Sequence, residues 1–114
     1  MTPCRVVCFG AAHWDVIARP RPGARGRDTP GEAERRIGGV AVNVALGLAA
    51  AGVAVALVTA IGDDDDGAEM LARLAEAGVS AEAAIRYSGA PTGRYVAIEK
   101  VDGELLAAVS DDRA

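Results

Sequence analysis

The chain has 114 residues, enough for one small domain with a modest core. Twelve basic residues against sixteen acidic ones give a net charge of −4, which argues against a nucleic-acid partner, since such domains are usually basic. No apolar run reaches the length of a membrane span free of polar breaks and Gly, and the N-terminus does not read as a signal peptide, so no membrane is expected and a cytoplasmic location follows by default.

Residues 5–9 form a short β-rich apolar run ending at Gly10, a buried strand that opens into a loop. Cys4 and Cys8 share this stretch and would lie about 13 Å apart along a strand, too far for a disulfide. They read as free buried thiols in a reducing compartment, with a metal pair or a redox role as the other reading. Residues 16–18 form a second short strand. Residues 19–31 are rich in Pro, Gly and Arg and read as a loop, from which 32–37 return as a short exposed strand.

Residues 40–51 are apolar except for Asn43 and Gly47, which predicts a helix buried on most sides and stopped by Gly52. Residues 53–61 are almost all β-branched or small and apolar, a central strand covered on both faces. Met70, Leu71, Leu74 and Ala77 recur at helical spacing before Gly78. Residues 79–87 read as a loop and a short strand. Residues 94–101 and 104–109 flank Asp102-Gly103, a two-residue hairpin signal. The β-α-β-α-β order to residue 87 implies an α/β fold with a doubly wound parallel sheet. The strands near 16–18 and 32–37, with the hairpin, fit a second, smaller antiparallel layer.

Gly38-Gly39 leads directly into the apolar helix, can take φ > 0 and lets a ligand approach the backbone. Asn43, one turn inside, reads as a buried amide that bonds nearby backbone or faces a polar ligand. Asp15 sits just past a parallel strand, where open α/β sheets bind ligands; it either accepts substrate hydroxyls or caps the loop. His13 is a lone histidine with no acidic cluster at ligand spacing. Asp63-Asp64-Asp65-Asp66 fails the spacing of a calcium loop and reads as a helix N-cap with first-turn carboxylates, so no metal site is assigned. Arg19, Arg21, Arg25 and Arg27 form a basic patch, either solvated or in contact with an anion. Neither a Walker A loop nor a Gly-x-Gly-x-x-Gly fingerprint is present.

Gly38, Gly39, Asn43, Ala45, Gly52 and Gly62 meet every position of a pattern that resembles the N-terminal signature of the ribokinase-like (PfkB) sugar and nucleoside kinases. Gly10-Ala11-Ala12-His13-Trp14-Asp15 resembles the segment where that family carries a substrate-binding Asp, with His13 where many members have Asn. The resemblance covers essentially residues 1–114. It implies that Asp15 binds sugar hydroxyls, that Gly38 and Gly39 contact the sugar and hinge a lid, and that Asn43 bonds another hydroxyl. It further implies a lid from strands at about 16–37 and 94–109, ATP with Mg²⁺, a small sugar or nucleoside as partner, and a possible homodimer through the lid strands. Asp28-Thr29-Pro30-Gly31 and residues 103–111 resemble the pseudouridine kinase branch, with ribokinase or another nucleoside kinase as the alternative. The family's second signature, Gly-Ala-Gly-Asp with the catalytic base, is absent. No catalytic residue is therefore assigned, and the chain reads as the first third of a kinase, inactive alone, or as a non-catalytic binding or dimerisation module.

Overall fold

A computed structural model describes residue 3 and residues 5–114. Cys4, half of the thiol pair considered above, lies outside the described residues; Cys8 is a buried free thiol. The elements run β1 (Val6–Phe9), β2 (His13–Pro20), β3 (Gly31–Gly38), α1 (Val40–Ala50), β4 (Val55–Val58), β5 (Ala60–Gly62), α2 (Asp65–Glu76), β6 (Val79–Ser80), β7 (Ile85–Tyr87), β8 (Gly93–Glu99) and β9 (Leu105–Asp111).

Strands β1, β4 and β6 form a parallel sheet in that order, and β5 pairs in parallel with β7. Val55 and Leu57 alternate with half-buried residues, as a pleated strand with one packed face requires. That face meets α1 and α2, and the shared core holds Cys8, Val42, Ala45, Leu57, Met70 and Leu74.

The predicted strand over residues 53–61 is two strands in two sheets. They part at Thr59, whose carbonyl accepts from the Ile85 N–H at 2.8 Å. It is also covered on one face only: on the neighbouring β1, Val7 and Phe9 point the other way and are 64% and 83% exposed. The same correction applies to α1. Val42 and Ala45 are buried, but Val40 is 82% exposed, because the helix packs on the sheet along one stripe and no described element covers the other side. Gly52 ends it with φ +84°, and Ala77, expected in the apolar stripe of α2, is the C-cap of that helix.

The second sheet has the order β3-β2-β8-β9. Its hairpins β2–β3 and β8–β9 are antiparallel, but the central β2–β8 pair is parallel, so the layer is mixed and not antiparallel throughout. Both β2 and β8 leave the core at the same end of this sheet, after Ala12 and Thr92, and so run in the same direction. Strands β2 and β3 are longer than expected and the loop between them shrinks to residues 21–30. The Asp102-Gly103 turn is a three-residue loop. Gly103 N–H donates to the Lys100 carbonyl, Lys100 N–H to the Glu104 carbonyl, and Gly103 takes φ +88°, as such loops require.

Candidate functional site

The carboxyl end of β1, the start of β2, the end of β3 and the first turn of α1 meet at one place. Register alignment puts His13, Asp15, Gly38, Gly93 and Tyr95 on one face of the four-stranded sheet, since cross-strand partners and alternate residues share a face.

Asp15 stands directly over Gly38. A Cβ at position 38 would be 2.2 Å from the Asp15 Oδ2, so Gly38 is required for space. Gly39 has a different reason: its φ is +111°, and a Cβ there would be 2.3 Å from the Ala11 carbonyl oxygen. Of the two glycines expected to take φ > 0, only Gly39 does. Gly10 completes the set, because a Cβ on it would meet Ala41 Cβ at 2.9 Å and lift α1 off the strand end.

Asn43 is exposed, not buried as expected. It falls off the packed stripe of α1, so its amide needs no internal partner; its own N–H donates to the Gly39 carbonyl at 2.9 Å. The chain thus joins Asp15, Gly38 and Gly39 at one junction and leaves Asn43 one helical step away.

His13, read as solitary, is not. Its Nε2 lies 2.9 Å from Asp15 Oδ1, and its ring lies 6.4 Å from that of Tyr95, tilted by 50°. An apolar pattern that begins at residue 16 hides this pairing; a strand from residue 13 makes 13 and 15 same-face neighbours. Two cavities meet at Gly10, Ala11 and His13. One, of about 350 Å³, is bounded by Phe9, Thr59, Ile85 and Asp112. The other, of about 530 Å³, is bounded by Gly39, Val40 and Val44, and neither Asp15 nor Asn43 lines it.

Pattern and neighbours now agree. The signature of the pfkB family of carbohydrate kinases matches residues 4–113. The chain belongs to that family. It is 31% identical over 107 residues to the pseudouridine kinase of Escherichia coli, covering 93% of this chain and 34% of that protein. It is 34% identical over 110 residues to the ATP-dependent ribose-1-phosphate kinase of Halopiger xanaduensis, covering 94% of this chain and 37% of that protein. The fructokinase of Xylella fastidiosa with bound ATP superposes with a TM-score of 0.77 at 30% identity, over 94% of this chain and 32% of that one. The chain thus spans about a third of the length of these relatives.

The other motifs have local explanations in this pfkB chain. Asp64 caps α2: its Oδ1 accepts from the Gly67 N–H at 2.9 Å and from the Thr92 hydroxyl at 2.5 Å, and its Oδ2 from the Thr92 N–H at 2.9 Å. Burial pushes its carboxyl up, but the Thr92 hydroxyl, the Thr92 and Gly67 N–H groups and the Arg94 charge together hold it below the ordinary carboxylate range. Among the described residues no three His, Cys, Asp or Glu side chains gather as a metal would require. Arg21, Arg25 and Arg27 lie beyond the far end of the β2–β3 hairpin, five residues or about 16 Å along the strand from Asp15. The α2 N-terminus does not suit a phosphate: the Asp64 carboxylate fills it, and Asp65 and Asp66 lie in its first turn. Among the described residues no helix is long and apolar enough to cross a membrane.

Proposed function

We propose that the protein is an ATP-dependent kinase that phosphorylates a hydroxyl of a sugar or ribonucleoside, with these 114 residues supplying the acceptor-binding side and the lid. The observation that carries it is the Asp15 carboxylate seated over Gly38 near the start of β2, beyond the carboxyl end of the parallel strand β1. A carboxylate there accepts hydrogen bonds from neighbouring hydroxyls, which is how a polyol is told from water. The relatives' names, one for pseudouridine and one for ribose 1-phosphate, favour an acceptor that carries ribose. In this reading Gly38, Gly39 and Asn43 border the acceptor. The four-stranded sheet is the lid, which excludes water as a competing phosphoryl acceptor. ATP and Mg²⁺ belong to the remainder of the fold that the relatives possess, and a cytoplasmic location goes with ATP use. Replacing Asp15 with Ala in the protein as its gene encodes it should raise the acceptor KM about 10- to 100-fold, the loss of one charged hydrogen-bonding group. The KM for ATP should not move. An unchanged KM for both ribose and pseudouridine would sink the assignment.

A second reading, a non-catalytic module that dimerises through the lid strands, rests on the face of the four-stranded sheet opposite Asp15. Val96, Ile98 and Val109 are 39%, 46% and 69% exposed there and, by register, share one side. Kinase assay and light scattering of the isolated 114 residues separate the readings. The first expects no turnover, because phosphoryl transfer needs an acceptor-activating base that Asp15, occupied in binding, does not provide. Turnover by the isolated chain would refute it; a folded, inactive dimer would favour the module.

A further inference from the structure

We infer that His13 is a positioning residue that fixes the Asp15 carboxylate for the acceptor; the inference rests on the reading that Asp15 takes acceptor hydroxyls. Two neighbours stand against that carboxylate. His13 Nε2 stands 2.9 Å from Oδ1, in contact with the carboxylate. Gly38 lies under the carboxylate at a distance only a glycine permits. Cross-strand partners Arg36 and Tyr95 flank Asp15 on either side.

The imidazole is itself confined. Gly93 is its register partner on β8, and a Cβ there would stand 3.1 Å from His13 Cβ. The ring is held between that open position and Tyr95. His13 and Asp15 are both partly exposed, 30% and 22% at their side chains, so the pair faces solvent without being dissolved by it.

A free Asp side chain samples several rotamers, and a ligand that selects one loses affinity to the ordering. The imidazole does that ordering before the ligand arrives. It stands against Oδ1, while Oδ2 lies over Gly38. The site therefore suits a group that presents hydroxyl hydrogens to a fixed edge, such as the vicinal diol of a ribose ring, and does not suit an acceptor-only group.

The test is steady-state kinetics with ribose, pseudouridine and ATP on the protein as its gene encodes it. Replacing His13 with Ala should raise the acceptor KM about two- to tenfold, more than it lowers kcat, and leave the ATP KM alone. His13→Gln, whose amide nitrogen reaches where Nε2 sits, should return the KM to within about twofold of the wild type. Asp15→Ala should cost less in the His13→Ala background than alone, since the two act as a unit. If Asp15→Ala raises the acceptor KM and His13→Ala does not, or if Gln fails to restore it, the inference falls while the proposed function stands. If neither variant changes the KM, both fall. A measurement on the unmodified protein guards against misfolded variants. The ¹⁵N imidazole signals of His13 are assigned by their disappearance in His13→Ala. A hydrogen on Nε2 is expected, and a neutral ring carrying it on Nδ1 would overturn the inference.

Discussion

A methyl group at position 38 would overlap the Asp15 carboxylate at 2.2 Å, and something would have to move. The lighter partner is the Asp15 side chain, since Gly38 is strand backbone paired to His13. Replacing Gly38 with Ala should therefore swing the carboxylate away without unfolding the sheet. We expect the acceptor KM to rise about tenfold or more, as in Asp15→Ala, and the double variant to be no worse than either alone. Additive effects would show that Gly38 acts independently of Asp15. At this scale the glycine pair was legible from spacing, but the reason for each glycine was not. One is dictated by a neighbour's side chain on another strand and the other by its own φ, and neither quantity is written in a local sequence. His13 makes the same point: its partner is two residues away and still went unseen, because the strand that aligns them starts three residues earlier than its apolar pattern.

Between elements, the four-stranded sheet is tied to the core at defined points. Trp14 of β2 is buried and donates from Nε1 to the Asp66 carbonyl of α2 at 3.0 Å. The Arg35 guanidinium lies 3.9 Å over its ring and pairs with both Asp66 and Glu69. The hydrogen bond from Arg35 is the chief reason the Glu69 carboxyl is held low, and the same pair raises Arg35. Asp64 and Thr92 make the second tie, where β8 leaves the core. Replacing Asp64 with Ala removes a helix cap and this clamp together and should cost about 1–2 kcal/mol at neutral pH. The folded-state carboxyl lies below its unfolded value, so its contribution is present above the unfolded value, about pH 4, and is lost as pH falls through the folded one. The difference in Tm between wild type and Asp64→Ala should shrink as pH falls below about 4. A difference that stays constant with pH would mean that the carboxylate's charge does not matter. The Asp run was readable as a cap from sequence because capping is local. The Thr92 partner, 28 residues on, was not.

As a whole, the molecule is elongated. Its radius of gyration is 16.1 Å, against about 13 Å for a compact chain of this length, and its extents are 54 × 34 × 18 Å. The four-stranded sheet projects from a small core whose parallel sheet is packed on one face, with Phe9 and Val7 on the open one. An apolar face of this kind binds hydrophobic dyes and contributes little to stability. The 114 residues alone should melt broadly at low temperature and bind such a dye before the transition. A sharp, high-temperature transition without dye binding would contradict this.

The sequence by itself determined the α/β order, the helix stops at Gly52 and Gly78, and the spacing from Gly38 to Gly62 that marks the pfkB family. These depend on periodicity, φ preference and fixed offsets, all of which act over a few residues. Only the tertiary structure decided which faces are covered, where residues 53–61 split, that β2 and β8 run parallel, and that Asp15 stands beside His13 and over Gly38. Those follow from how distant strands align, and alignment is set by packing between segments that no local pattern compares.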